Sequence, residues 1–122
     1  MSSVGHDLQP GLSARISWNV QAGHLYSPTG RDEDAVLSSP SMIMKMEETA
    51  VHAVKVHLPE GRVTVGFHVD VKHIAPARRG ALITTTARLV AVDGPKLMFE
   101  VEARDGERLI GVGTHRRAVI KV

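Results

Sequence analysis

Residues 38–61 read SSPSMIMKMEETAVHAVKVHLPEG, the one segment of the chain with a sustained helical pattern. Ser39 is placed to cap its start, Pro40 suits the first helical position, and Pro59 with Gly61 ends it. On a wheel of about 100° per residue, Lys45, Glu48, His52 and Lys55 gather on one side and mark a solvent stripe. Glu47 does not join them. It falls among Ile43, Val51, Val54 and Leu58, roughly 120° from the centre of that stripe. A carboxylate buried without a partner is strongly disfavoured or takes up a proton, so this position calls for a partner or a chemical task.

The flanking sequence reads as strands. LSARISWNV (12–20) alternates apolar and polar residues, and a Gly-, Pro- and Asp-rich loop follows it to the helix. After the helix come RVTVGFHVDVKHI (62–74) and ALITTTARLVAV (81–92). The latter joins KLMFEVEAR (96–104) through Asp93–Gly94, and Asp105–Gly106 leads into RLIGVGTHRRAVIKV (108–122). Asp-Gly between alternating runs marks a hairpin. One strand, one apolar helix and four antiparallel strands predict an α+β chain of the hotdog type, a long central helix wrapped by a five-stranded antiparallel sheet. The length of 122 residues suits a single domain over 1–122, with residues 1–10 as a flexible lead-in.

In 62–74 the alternation places Val63, Val65, Phe67, Val69 and Val71 on one face, and His73 is the next residue of that face. Glu47 on the helix and His73 on the strand are therefore expected to face one another. Such a pair is either a satisfied structural contact or a base and the group that orients it. Ser39 lies two turns before Glu47, where it either caps the helix or borders the same cavity. Backbone N–H groups at that helix end suit a developing oxyanion.

Composition excludes several classes. The chain has no cysteine, so there is no disulfide framework, thiolate nucleophile or cysteine zinc site. No apolar run approaches the roughly 18 residues of a membrane span, and MSSVGHDLQPGLS lacks the pattern of a signal peptide. A cytoplasmic protein without membrane contact is the expectation. Net charge is only +2, and one Trp, one Tyr and two Phe offer little for base stacking, which argues against nucleic acid. There are seven histidines, but His52 and His57 miss the i, i+4 spacing of a helical zinc pair and His115 adjoins two arginines, so no metal site is expected. Nothing in the sequence calls for a cofactor.

Taken together, HLY (24–26), MIMKMEETA (42–50), VGFHVDVKHIAPARRG (65–80), DGPKLMFEVEARDG (93–106) and GVGTHRRAVI (111–120) give the chain its likeness to a known group. It resembles the hotdog-fold thioesterases, in the branch typified by fluoroacetyl-CoA thioesterase. The resemblance implies a catalytic set of a hydroxyl residue, a helix Glu and a strand His, which fall on Ser39, Glu47 and His73. It also implies that the backbone of Gly66 approaches the thioester, that Arg117 belongs to the site, and that the protein is a homodimer with sites at the subunit interface. The fluoroacetyl-specific enzyme carries phenylalanines in the loop before the helix. The matching stretch GRDEDAVLS (30–38) has no aromatic residue, so fluoroacetyl specificity is not carried over.

The function expected is hydrolysis of a small acyl-CoA thioester. His73 acts as general base on water or on Ser39 Oγ, and Glu47 orients it or attacks the carbonyl. Arg78, Arg79 and Arg116 are assigned by charge to the phosphates of CoA. The alternative is a non-catalytic acyl-CoA binding module in which the Glu–His pair is structural. A hydratase is disfavoured because no hydration motif with a closely spaced Asp–His pair is found.

Overall fold

The computed structural model describes residues 7–122. Strand β1 (Ser13–Asn19) is followed by a two-stranded ribbon, β2 (Leu25–Tyr26) with β3 (Val36–Leu37), and then by helix α1 (Ser39–Val54). Strands β4 (Arg62–His73), β5 (Leu82–Asp93), β6 (Lys96–Asp105) and β7 (Arg108–Lys121) complete the chain. The large sheet is antiparallel in the order β1-β5-β6-β7-β4, which leaves β1 and β4 as its edges. Helix α1 packs against β5, β1 and β6, as the hotdog reading requires. The expected lead-in over 1–10 falls partly outside the described residues, and at Leu8 the chain is already buried in the core.

The helix buries Met42, Met46, Thr49, Ala50, Ala53 and Val54. Thr49 is polar yet satisfied: its hydroxyl donates to the Lys45 carbonyl at 2.7 Å and meets the Thr85 hydroxyl at 2.8 Å. The expected solvent stripe is present in part. Lys45 pairs with Glu48 at 3.6 Å, and its ammonium lies over the Trp18 ring, 5.4 Å from the centroid. After Val54 the chain tightens into a 3-10 turn over Lys55–His57 before Pro59. Both Asp-Gly turns form as read: Asp93 pairs with Lys96 and Asp105 with Arg108, and Gly94 and Gly106 take positive φ.

Two local expectations are corrected. The N-cap is Ser38, whose Oγ accepts from the Ser41 N–H at 3.2 Å, so Ser39 stands inside the helix with its hydroxyl released from capping. The second correction concerns β4. Gly66 pairs with Arg117 and His68 with Arg116, which leaves Phe67 as the extra residue of a β-bulge. The slip reverses the alternation. Thr64 and Gly66 take the helix-facing side, which Val69, Val71 and His73 hold beyond the bulge. Val63 and Val65 turn to the outer face, where they are 40% and 42% exposed beside Ile120.

Candidate functional site

The release of Ser39 from capping has a local result. Its Oγ lies 2.8 Å from Nδ1 of His73, the last residue of β4. His73 Nε2 is buried, so Nδ1 is the nitrogen presented to the serine. Burial pushes the imidazole below its ordinary pKa of 6.5, against a smaller opposing effect of the Ala75 backbone. At neutral pH the ring is therefore uncharged and able to accept a proton. The pair sits in a cleft of about 510 Å³ whose other walls include Tyr26, Val36, Ile74 and Pro76.

Glu47 keeps the helix neighbours the wheel gave it, Ile43 and Val51, but it is neither buried nor in contact with the strand histidine. Its side chain is 39% exposed, and it forms no hydrogen bond or ion pair with His73 of its own chain. Its neighbours are Arg117 Nη1 at 3.5 Å and His115 Nε2 at 4.0 Å. Arg117 is nearly buried and uses its whole fork. Nε donates to Thr64 Oγ1 at 2.8 Å, Nη2 to the Thr64 carbonyl at 2.9 Å, and Nη1 to His115 Nε2 at 3.1 Å. His115 Nδ1 donates to the His68 carbonyl at 2.8 Å, which fixes the tautomer and leaves Nε2 as the acceptor for Arg117. Burial, with Arg117 and His68 adding to it, holds the His115 pKa below 6.5 against the His68 carbonyl and Glu47.

Gly66 lies against this cluster. A Cβ there would stand 2.9 Å from His115 Cε1 and 3.0 Å from both Arg117 Nη1 and Glu47 Oε1. The missing side chain lets the β4 backbone approach all three groups. Glu47 and Arg117 line a second groove of about 490 Å³ with Ile43, Met44 and Val51. Pro40 lines both recesses, so the two meet at the first turn of α1.

The structure thus brings Ser39 to His73, and Glu47 to Arg117 and Gly66, in adjoining recesses. The charge-based trio is dispersed. Arg78 Nη1 donates to the Glu33 carbonyl at 3.0 Å, Arg79 is exposed, and Arg116 faces the outer side opposite His68 and Met98. His115 was missed by the sequence reading. Its two-residue spacing from Arg117 on β7 was the available signal, because it places both on one face.

The two depressed histidines fix a pH response. Below about pH 6.5 the unfolded chain protonates both imidazoles while the folded chain resists, so the unfolded state binds more protons and stability falls with pH. Urea midpoints are expected to be level above about pH 7.5 and to decline from about pH 6.5 downward. A midpoint that rises on acidification through that window contradicts the burial of neutral rings.

Comparison with known proteins gives the family. A family model described as FlK, fluoroacetyl-CoA-specific thioesterase, matches residues 20–122. The chain belongs to the FlK family. A curated FlK-family relative, the fluoroacetyl-CoA thioesterase of Streptantibioticus cattleyicolor, is 38% identical over 99 residues, 80% of this chain and 71% of that protein. A solved structure of the fluoroacetyl-CoA thioesterase FlK superposes with a TM-score of 0.85 at 31% identity, covering 93% of this chain and 89% of the other. A hot-dog-like protein from Thermanaerovibrio acidaminovorans reaches a TM-score of 0.88 at 23% identity over 99% and 90% of the two chains, a likeness of fold alone. Membership of the FlK family makes the chain a thioester hydrolase. Among the described residues no helix is long and apolar enough to cross a membrane, and no cluster of His, Asp and Glu is arranged to hold a metal.

Proposed function

We propose that the protein hydrolyses an acyl-CoA thioester at the Ser39–His73 pair and works as a homodimer. The observation that carries the chemistry is the 2.8 Å contact between Ser39 Oγ and an uncharged His73 Nδ1 at the mouth of a cleft. Nδ1 takes the proton of Ser39 Oγ, or of a water in its place, as that oxygen attacks the carbonyl carbon. The carbonyl π electrons move to oxygen, and the positive end of α1 together with the backbone at Gly66 of the partner subunit favours the resulting oxyanion. The intermediate collapses, the C–S bond breaks, and the imidazolium returns its proton to the CoA sulfur. If Ser39 has been acylated, water gives a proton to the same base and attacks the acyl carbon, the bond to Oγ breaks, and the imidazolium returns the proton to Oγ as the acid leaves.

Dimer formation supplies the role for Glu47. Strand β4 is an edge, and it and α1 leave Met44, Phe67 and Val69 between 41% and 62% exposed. Pairing two β4 strands antiparallel about their midpoint sets His73 beside residue 62 of the other copy. Glu47 of the partner subunit stands over Thr64–Gly66 of that copy, so it comes to the Ser39–His73 recess across the interface. There it orients the imidazole or attacks the carbonyl itself. Arg78 and Arg79, near the loop that precedes β5, remain the assigned contacts for the CoA phosphates; Arg116, on the outer face, is the least suited of the three.

The test is thiol release from a panel of acyl-CoAs by wild type, Glu47→Gln and His73→Ala. Each variant alone should lose most turnover. After unfolding and refolding together, half the dimers are mixed and carry one intact site, so about a quarter of wild-type activity should return. Loss that mixing fails to restore places Glu47 in its own subunit. Undiminished turnover in both variants removes Glu47 and His73 from the chemistry, and acyl-CoA binding with no hydrolysis at all leaves the non-catalytic binding module as the reading.

A further inference from the structure

The recess that holds Ser39 and His73 is walled by Tyr26, Val36, Leu37, Pro40, Ile74 and Pro76, with Ser38 and the Tyr26 hydroxyl as its other polar groups. Among the described residues no charged side chain of the same subunit lines it. Two of its walls are exposed within the subunit: Tyr26 is 62% and Ile74 52% accessible, and both line the recess of the reacting pair. They come from different elements, the ribbon and the chain leaving β4, so their convergence is a property of the fold and not of one greasy segment.

The loop between β2 and β3 does not close this recess with a ring. Residues 27–35 contain no aromatic side chain, and their polar groups are engaged with one another. Ser27 Oγ donates to the Arg31 carbonyl at 2.7 Å, Thr29 Oγ1 to Asp34 Oδ2 at 2.6 Å, and Arg31 Nε to the same oxygen at 3.0 Å. Arg78 ties the loop to the far side through the Glu33 carbonyl. The space beyond the serine therefore stays open along an apolar wall.

The geometry points to an uncharged acyl group of medium length, about four to eight carbons, as the substrate of this site, with Tyr26 and Ile74 as its specificity determinants. An acetyl or fluoroacetyl group ends one carbon beyond the reacting carbonyl and leaves both side chains wet. A butanoyl, hexanoyl or phenylacetyl group covers them. A dicarboxylic acyl group would bring its carboxylate against walls that offer no cation, and towards the Glu47 carboxylate of the partner subunit. This inference rests on the hydrolase reading above and extends it to substrate class.

The experiment is a kcat/KM series with acetyl-, butanoyl-, hexanoyl-, phenylacetyl- and succinyl-CoA on the full chain. Each methylene seated against the wall is expected to raise kcat/KM about fourfold, so butanoyl-CoA should exceed acetyl-CoA by roughly 15-fold. Succinyl-CoA should fall below butanoyl-CoA by about 100-fold. Tyr26→Ala and Ile74→Ala should each pull the butanoyl-to-acetyl ratio towards one. That ratio is internal to each protein, so a general loss of folding does not imitate the effect. Hydrolysis of none of the five overturns the hydrolase reading. Hydrolysis in which acetyl-CoA equals or outruns the longer acyl groups, or in which succinyl-CoA leads, overturns the acyl assignment and leaves the hydrolase reading standing. A ratio unmoved by both substitutions removes Tyr26 and Ile74 as determinants.

Discussion

His73→Ala is expected to lower kcat/KM for acyl-CoA hydrolysis about a thousandfold, or about 4 kcal/mol of transition-state stabilisation. The reasoning runs from burial to chemistry. The ring is shielded enough to stay neutral at pH 7, one nitrogen is enclosed, and the other meets the Ser39 hydroxyl at 2.8 Å. Apart from the Tyr26 phenol no other titratable side chain of the same subunit lines that recess among the described residues, so that subunit positions no second imidazole or carboxylate to replace the base. The comparison with Ser39→Ala then separates two routes. If the serine oxygen is the nucleophile, both variants fall by similar factors, because the two groups act as a unit. If water is the nucleophile, Ser39→Ala costs far less than His73→Ala. A His73→Ala protein that folds normally and keeps a tenth or more of the wild-type rate removes the imidazole from the mechanism.

The largest expected effect on stability is at Arg117. Arg117→Ala should cost about 3 kcal/mol in urea unfolding with an unchanged m-value. Most of that loss comes from the acceptors left behind. His115 Nε2 and the Thr64 carbonyl lose their donors on the helix-facing side of the sheet, where His115 is 1% exposed. The contact with Glu47 contributes less, because that carboxylate is partly solvated and 3.5 Å away. Arg117→Lys should recover less than half of the loss, since one ammonium cannot reach Thr64, His115 and Glu47 together. A midpoint shift worth less than about 0.5 kcal/mol for Arg117→Ala means that water replaces the guanidinium and the cluster is not a structural knot.

Much of this was legible in the sequence, and the reasons differ by element. The helix and the five long strands announce themselves through period, and the Asp-Gly pairs fix two hairpins because Gly94 and Gly106 sit where φ must be positive. Strands β2 and β3 are two residues each, too short for any period to register. Of two adjacent serines only the coordinates separate the cap from the free hydroxyl, since either fits the local pattern. The wheel correctly set Glu47 apart from the solvent stripe but chose the wrong neighbour for it. It assumed that apolar helix positions face the core, whereas Ile43, Met44 and Val51 line a groove open at the surface. The bulge in β4 was invisible for a deeper reason. Its valines alternate without interruption, and the slip is dictated by pairing with β7, a strand some fifty residues later in the chain.

That slip has a consequence for how the molecule tolerates change in length. With Phe67 inserted, the two halves of β4 are out of phase, and each half shows its wanted side chains to the helix only because of the mismatch. Taking Phe67 into the ladder, with no residue lost, would turn one half over. Val63 and Val65 would then swap places with Thr64 and Gly66, the guanidinium of Arg117 would meet methyl groups, and the glycine notch would open to the outside. Loss of the single residue at the bulge leaves every facing as it is, so that one position accepts a change of length that the rest of the strand does not.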